Sequence, residues 1–267
     1  MNNQYFKLNN NLETLKLFEM KNSLDNTIER INKGEINFTE AMYELTEREI
    51  EFQKQRAKVA IVKVANFPFQ KTFEDYDFSF QPLLNKTEIL DLKYLRFLDN
   101  HENVLFLGPP GVGKTHLATA LGMESALNRI STYFISCHDL IQQLKKSHIE
   151  NRLERRIKHF ASYAVLIIDE VGYLPLDIEA SNLLFQLIAK RYEKKTTVIT
   201  TNKNFSEWGE VFGDAVLANA ILDRLLHHSK VFTIKGRSYR TKDIIKANNS
   251  SEWVVKKDSF KISRLHI

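Results

Sequence analysis

Cysteine occurs once in this chain of 267 residues, at Cys137, so no disulfide can close within it and a reducing compartment is the natural expectation. Long apolar runs are missing as well: none approaches the roughly 20 residues that a membrane-spanning helix needs. The opening stretch MNNQYFKLNNNLETLKLFEM lacks the apolar core of a signal peptide. No internal repeat and no low-complexity tract is present. Together these absences point to a cytosolic (cytoplasmic) protein with no membrane contact. The length suffices for one sizeable core plus a smaller accessory domain, and 43% hydrophobic with 27% charged residues is ordinary for a globular chain.

Net charge is only +5, but it is unevenly spread. Residues 1–100 hold 14 Lys/Arg against 16 Asp/Glu, net −2, and residues 101–267 hold 24 against 17, net +7. The excess sits in two places: the run 145–159, with six basic residues against two acidic, and the tail from Lys235, with nine against three. Clustered positive charge of this kind suits a polyanionic partner.

Glycine and proline are absent from Thr39 to Phe67, and this first part of the chain reads as helical. A helix is expected to begin near Phe38 with Thr39 as its N-cap and to continue until Pro68 stops it. Leu45, Phe52, Val59 and Val62/Ala65 recur at helical spacing as its packing stripe. The aromatic-rich linker FPFQKTFEDYDFSFQP follows and is expected to wrap against the next domain. From about residue 85 the apolar runs VLFLG, TYFIS, VLIID and TVITTN alternate with helical segments, which implies a parallel sheet covered on both faces.

Gly108-Pro109-Pro110-Gly111-Val112-Gly113-Lys114-Thr115 fits G-x-x-x-x-G-K-[ST], follows a strand and opens a helix. The glycines let backbone N–H groups turn inward around phosphates, Lys114 adds a point charge and Thr115 offers a hydroxyl to Mg²⁺. These residues and His116 are the expected ATP-binding set. Asp169, at the end of VLIID, is expected to hold Mg²⁺ through water, and Glu170 to orient and deprotonate an attacking water. Thr200, Thr201 and Asn202 end the strand TVITTN, with Asn202 the best placed to fix that water.

With these pieces in order the chain resembles AAA+ ATPases, and closely the IstB-like ATP-binding proteins, transposase helpers related to the helicase loader DnaC. The resemblance is carried by LGPPGVGKTHLATALG, YAVLIIDEVGYLPLD, NLLFQLIAKRYEKKTTVITTN, FSEWGEVFGDAVLANAILDRLLHHS and KGRSYR, with EREIEFQKQRAKVAIVKVANFPFQKTFEDYDF as lead-in. It implies an α/β AAA+ P-loop fold: a small all-helical N-terminal domain over 1–66, a linker over 67–84, the ATPase domain over 85–245 and a basic tail over 246–267, with little or no lid. It makes 108–115 the Walker A loop, Asp169 and Glu170 the Walker B acids, Asn202 the first sensor and Arg224 an arginine finger offered to a neighbouring subunit. Arg237 and Arg240 are further candidates for touching nucleotide.

The resemblance also places the basic run in an extra helical insertion that faces nucleic acid. As one helix over 148–160, the run would show a basic stripe of His148, Arg152, Arg155/Arg156 and His159 beside an apolar one of Ile149, Leu153, Ile157 and Phe160. Lys145, Lys146, Arg152, Arg155, Arg156 and Lys158 are therefore expected to contact phosphates of double-stranded DNA without reading sequence. The function implied is an ATP-hydrolysing, DNA-binding homo-oligomer that assists a transposase in target selection and integration. A helicase loader shares every catalytic feature. A small-molecule P-loop kinase has no use for a basic helix, and the intact Lys114, Asp169 and Glu170 argue against an adaptor without ATPase chemistry.

Overall fold

A computed structural model describes residues 3–242; the basic tail expected over 246–267, and residues 243–245, lie outside the described residues. The chain divides after Lys63 into two compact units. The first holds α1 (Asn3–Thr14), α2 (Phe18–Asn32) and most of α3 (Phe38–Val64). Leu12, Met20, Leu24 and Leu45 form its core. Glu49 of α3 is buried because its carboxylate accepts hydrogen bonds from the backbone N–H groups of Glu19 and Met20, at 2.7 and 3.0 Å. An anion there satisfies orphan donors at the α2 N-terminus and meets the positive end of its dipole.

Two local expectations for α3 are corrected. Asn37, not Thr39, caps it: the Asn37 side chain accepts from Glu40 N–H at 2.9 Å while Glu40 reaches back to Asn37 N–H at 2.8 Å, a reciprocal capping box. The apolar stripe is also interrupted at Val59, 68% exposed, although Ala65 is buried, and the helix ends at Val64, before Pro68.

The second unit contains α4 (Lys86–Asp91), β1 (Asn103–Leu107), α5 (Lys114–Leu127), β2 (Thr132–Ser136), α6 (Cys137–Ile149), α7 (Leu153–Ser162), β3 (Val165–Val171), α8 (Ile178–Arg191), β4 (Thr196–Thr201), α9 (Trp208–Phe212), α10 (Ala215–Leu226) and β5 (Ser229–Thr233). The five strands are all parallel, in the order β2-β3-β4-β1-β5. Each of the four expected apolar runs supplies one of them. Side chains alternate across the sheet as the pleat requires. Leu105, Leu107, Leu166 and Ile168 pack with α6 to α10, whereas Val104, Phe106, Val165 and Ile167 pack with α5 and with Phe73, Tyr76, Ile89 and Phe97. The segment 67–84 thus contributes to the core of this unit, with Phe73 1% exposed.

Because β4 lies between β3 and β1, the carboxyl ends of these three strands open into one crevice. Consecutive strands β1 and β2 are not neighbours there, the arrangement that places ligands at such ends in open α/β sheets.

Candidate active site

The phosphate loop begins where β1 is held between two strands: Gly108 N–H donates to Thr201 O at 3.2 Å, and Ile234 N–H donates to Leu107 O at 2.7 Å. A Cβ at Gly108 would lie 2.3 Å from the carbonyl oxygen of Ile234, so only glycine lets the chain pass. Gly113 caps α5 with φ at 96°, in left-handed space, and its open face meets the ring of Tyr76. Lys114 opens α5 and folds back over the loop, its Nζ donating to Gly108 O at 2.8 Å and Pro109 O at 2.9 Å. Burial lowers its ammonium pKa, and Arg240 pushes the same way against the opposing pull of Asp169 and Glu170.

Asp169 is only 6% exposed. Thr115 donates its hydroxyl to the Asp169 carboxylate at 3.0 Å, and Thr200 donates from β4 to the same group. Burial pushes the Asp169 carboxyl up, more than the two hydroxyls pull it down. The hydroxyl of Thr115 and the carboxylate beside it make a hard-oxygen donor set, which fits Mg²⁺. Glu170 is exposed, although it follows Asp169 directly in the strand. Pairing between β3 and β4 is irregular from Ile168 to Val171, and Glu170 has φ at 62°, unusual for a residue with a side chain. Glu170 N–H donates to Thr200 Oγ1 at 2.9 Å, which pins the irregular turn to β4.

A cavity of about 490 Å³ brings together Pro110 to His116, Asp169, Glu170, Thr200 and Asn202. Apart from Arg240, its other wall was not expected from the sequence. Phe69, Asp75, Tyr76, Asp77, Phe80 and Gln81 come from the linker, and Tyr239 and Arg240 from beyond β5. The Tyr76 hydroxyl donates to Val112 O at 2.8 Å, and burial pushes its pKa up to about 12. His116 contacts Thr72 O at 2.9 Å, and burial lowers its pKa. Lys242 pairs with Asp77 at 2.8 Å, a contact that, with Ser79, holds the Asp77 carboxyl down at about 2. The short spacing of aromatics in FPFQKTFEDYDFSFQP was the available signal for this wall.

Thr200 is a residue that the sequence alone ranks below its neighbour. Among Thr200, Thr201 and Asn202 the sequence favours Asn202, which does line the cavity, half-buried. It is Thr200 that touches both acids, through the Asp169 carboxylate and the Glu170 amide. Arg240 also lines the cavity; Arg237 does not, and its carbonyl instead accepts from Gln81 at 3.2 Å.

Arg224 lies outside this group. Its guanidinium sits 4.8 Å from the Phe185 ring centre and donates to Ala220 O at 2.8 Å. The carbonyls of Arg224 and Leu225 face Asn103, which begins β1 at the opposite end from Gly108.

The basic run is not one helix. α6 ends at Ile149 and α7 starts at Leu153, with Asn151 in left-handed space at φ 54° between them. Ile149, expected on the packing face, is 82% exposed, whereas Ile157 and Phe160 are buried. The six cations differ in their surroundings: Lys145 pairs with Asp177, Arg152 with Glu150, and Lys158 with Glu154. Arg156 donates to Gln143 at 2.7 Å and lies over Phe160, while Lys146 and Arg155 are exposed.

The profile of the family described as IstB-like ATP binding protein matches residues 10–247. The chain is 52% identical over 249 residues to an ATP-binding protein of insertion sequence IS232 from Bacillus thuringiensis subsp. berliner, spanning 93% of this chain and 100% of that one. Among solved structures it is similar to the DnaC helicase loader, at 25% identity and a TM-score of 0.51, covering 64% of this chain and 97% of that one. It also matches AMPPCP-bound DnaA from Aquifex aeolicus, at 16% identity and a TM-score of 0.55, over 69% of this chain and 56% of that one.

Proposed function

The chain belongs to the IstB-like ATP-binding protein family, with an AAA+ fold, and from that premise we propose that it hydrolyses ATP and, assembled on DNA, assists a transposase. The observation that carries the hydrolase reading is the Thr115–Asp169–Thr200 cluster beside Lys114, with Glu170 exposed next to it. In this reading Pro109, Pro110, Val112 and the glycines of the loop cradle the phosphates, and Lys114 exchanges its two loop carbonyls for phosphate oxygens. Thr115 and Asp169 would hold Mg²⁺, which when bound neutralises charge on the β- and γ-phosphate oxygens. Glu170 accepts the proton of a water that Asn202 helps to orient. Arg224, outside its own chain's cavity, is supplied to the site of a neighbouring subunit.

The DNA and transposase parts of the proposal draw support from the insertion-sequence names of the relatives and from the basic run on α6 and α7. The match to an insertion-sequence protein along its full length favours this reading over a helicase loader, whose likeness is weaker and partial. The test is steady-state ATP hydrolysis over a range of protein concentration, with nucleotide binding measured in parallel. Lys114→Ala should lose tight nucleotide binding, and Glu170→Gln should keep it while losing hydrolysis by about 10²-fold or more. Arg224→Ala should bind nucleotide normally but lose the steeper than linear rise of rate with concentration. Wild-type nucleotide affinity in Lys114→Ala, or a full rate from wild type at high dilution, would overturn the site or the finger respectively.

A further inference from the structure

On the side of the sheet away from the cavity, the turn after α8 meets the end of α10. Glu193 lies in that turn with φ at 56°. His227 is the C-cap of α10, and His228 follows it, with its carbonyl accepting from Asn103 N–H at 2.8 Å. His227 Nδ1 is 3.6 Å and His228 Nε2 3.8 Å from Glu193 Oε1, and the three donor atoms lie within 4.8 Å of one another. The two imidazole rings are 4.0 Å apart between centres. All three side chains are exposed, and none takes part in the nucleotide cavity.

We propose that Glu193, His227 and His228 form a binding site for a borderline divalent transition metal, zinc above all. The donor set is two imidazoles and a carboxylate, which suits zinc and its neighbours rather than the all-oxygen preference of magnesium or calcium. Bonds of about 2.0–2.1 Å in tetrahedral geometry place ligand atoms roughly 3.3 Å apart. The observed 3.6 and 3.8 Å, with all three donor atoms within 4.8 Å of one another, are wider than this, a difference that rotation of the exposed side chains can take up. The Tyr192 hydroxyl lies 2.7 Å from His227 Nδ1, so loading exchanges that hydrogen bond for a coordinate bond. Three protein ligands leave one tetrahedral position for water or for a group from another molecule. The ion would clip the turn after α8 to the last turn of α10, the helix that carries Arg224, and so fix the end of that helix.

The experiment uses untagged full-length protein without nucleotide, titrated with Zn²⁺ by calorimetry and with Co²⁺ followed by its visible absorption. Wild type should take up one equivalent per chain, and saturating Zn²⁺ should raise Tm by linkage. Glu193→Gln and His228→Ala should each weaken uptake by about tenfold or more and remove the Tm rise, while melting like wild type in chelator. Lys114→Ala should bind zinc as wild type does, which separates this site from the nucleotide site. Uptake that is not stoichiometric, or that ignores both substitutions, would overturn the proposal.

Discussion

Asp169 is a carboxylate whose surroundings disfavour its own charge, and the consequence for stability has a definite sign. Burial raises its pKa above the ordinary value of about 3.9, so the folded chain holds the proton more tightly than the unfolded one. Stability then falls as pH climbs from the unfolded value through the folded one, and the penalty is complete above the folded value. Asp169→Asn keeps an acceptor oxygen for Thr115 and Thr200 but carries no charge. Without nucleotide or divalent metal it should melt a few degrees above wild type at pH 7, and the gap should close as pH falls below the ordinary carboxyl value. Thermal melts across pH check this; a variant that melts lower at pH 7 refutes it. The acid itself was legible in the sequence because a strand ending in Asp-Glu downstream of a phosphate loop has few other uses. Thr200 was not, since three polar residues end β4 and only the bulge at Glu170 decides which hydroxyl reaches both acids.

At the scale of elements, the four strands and the phosphate loop were legible because short apolar runs and glycine spacing depend on local chemistry alone. The break between α6 and α7 was not. The run from Cys137 to Tyr163 contains no glycine or proline, and its one asparagine, Asn151, is what takes the left-handed turn. Glu150 and Asn151 N–H groups still find carbonyls of α6, at 3.1 and 3.0 Å, so the turn leaves few backbone groups unpaired. Asn151→Gly should therefore be neutral or slightly stabilising, whereas Asn151→Val should cost about 1–2 kcal/mol, read from urea unfolding. Equal stability of the valine variant would mean that α6 and α7 can join into one helix. The linker wall was hidden for a different reason: aromatics without a period predict packing against the next domain but not against which part of it. Contacts such as those of Tyr76 with Val112 O and of Thr72 O with His116 turn the segment into part of the nucleotide cavity.

At the scale of the whole molecule, the basic run that the sequence presents as six equivalent cations is sorted by its neighbours. Lys145, Arg152 and Lys158 already have carboxylates within ion-pair distance, and Arg156 is partly spent on Gln143 and Phe160. Lys146 on α6 and Arg155 on α7 are exposed with no carboxylate in ion-pair range among the described residues. A sequence cannot give this ranking, because Asp177 lies 32 positions from Lys145 and only the fold brings it near. Cations without a partner release the most counterions on meeting a phosphate, so Lys146 and Arg155 should dominate contact with duplex DNA. One subunit offers few such groups, and assembly with a non-hydrolysable ATP analogue should multiply them along the strand. The Lys146→Ala, Arg155→Ala double variant should then lower the slope of log affinity against log salt by about 1.8 per bound subunit, two contacts at about 0.9 each. The loss should be equal on unrelated sequences, since phosphate contacts carry no base information. Lys145→Ala, which breaks an existing ion pair, should change the slope less. A salt titration of DNA binding with these variants decides the matter: slopes identical to wild type would mean that α6 and α7 merely face solvent, and a larger effect from Lys145 would invert the ranking.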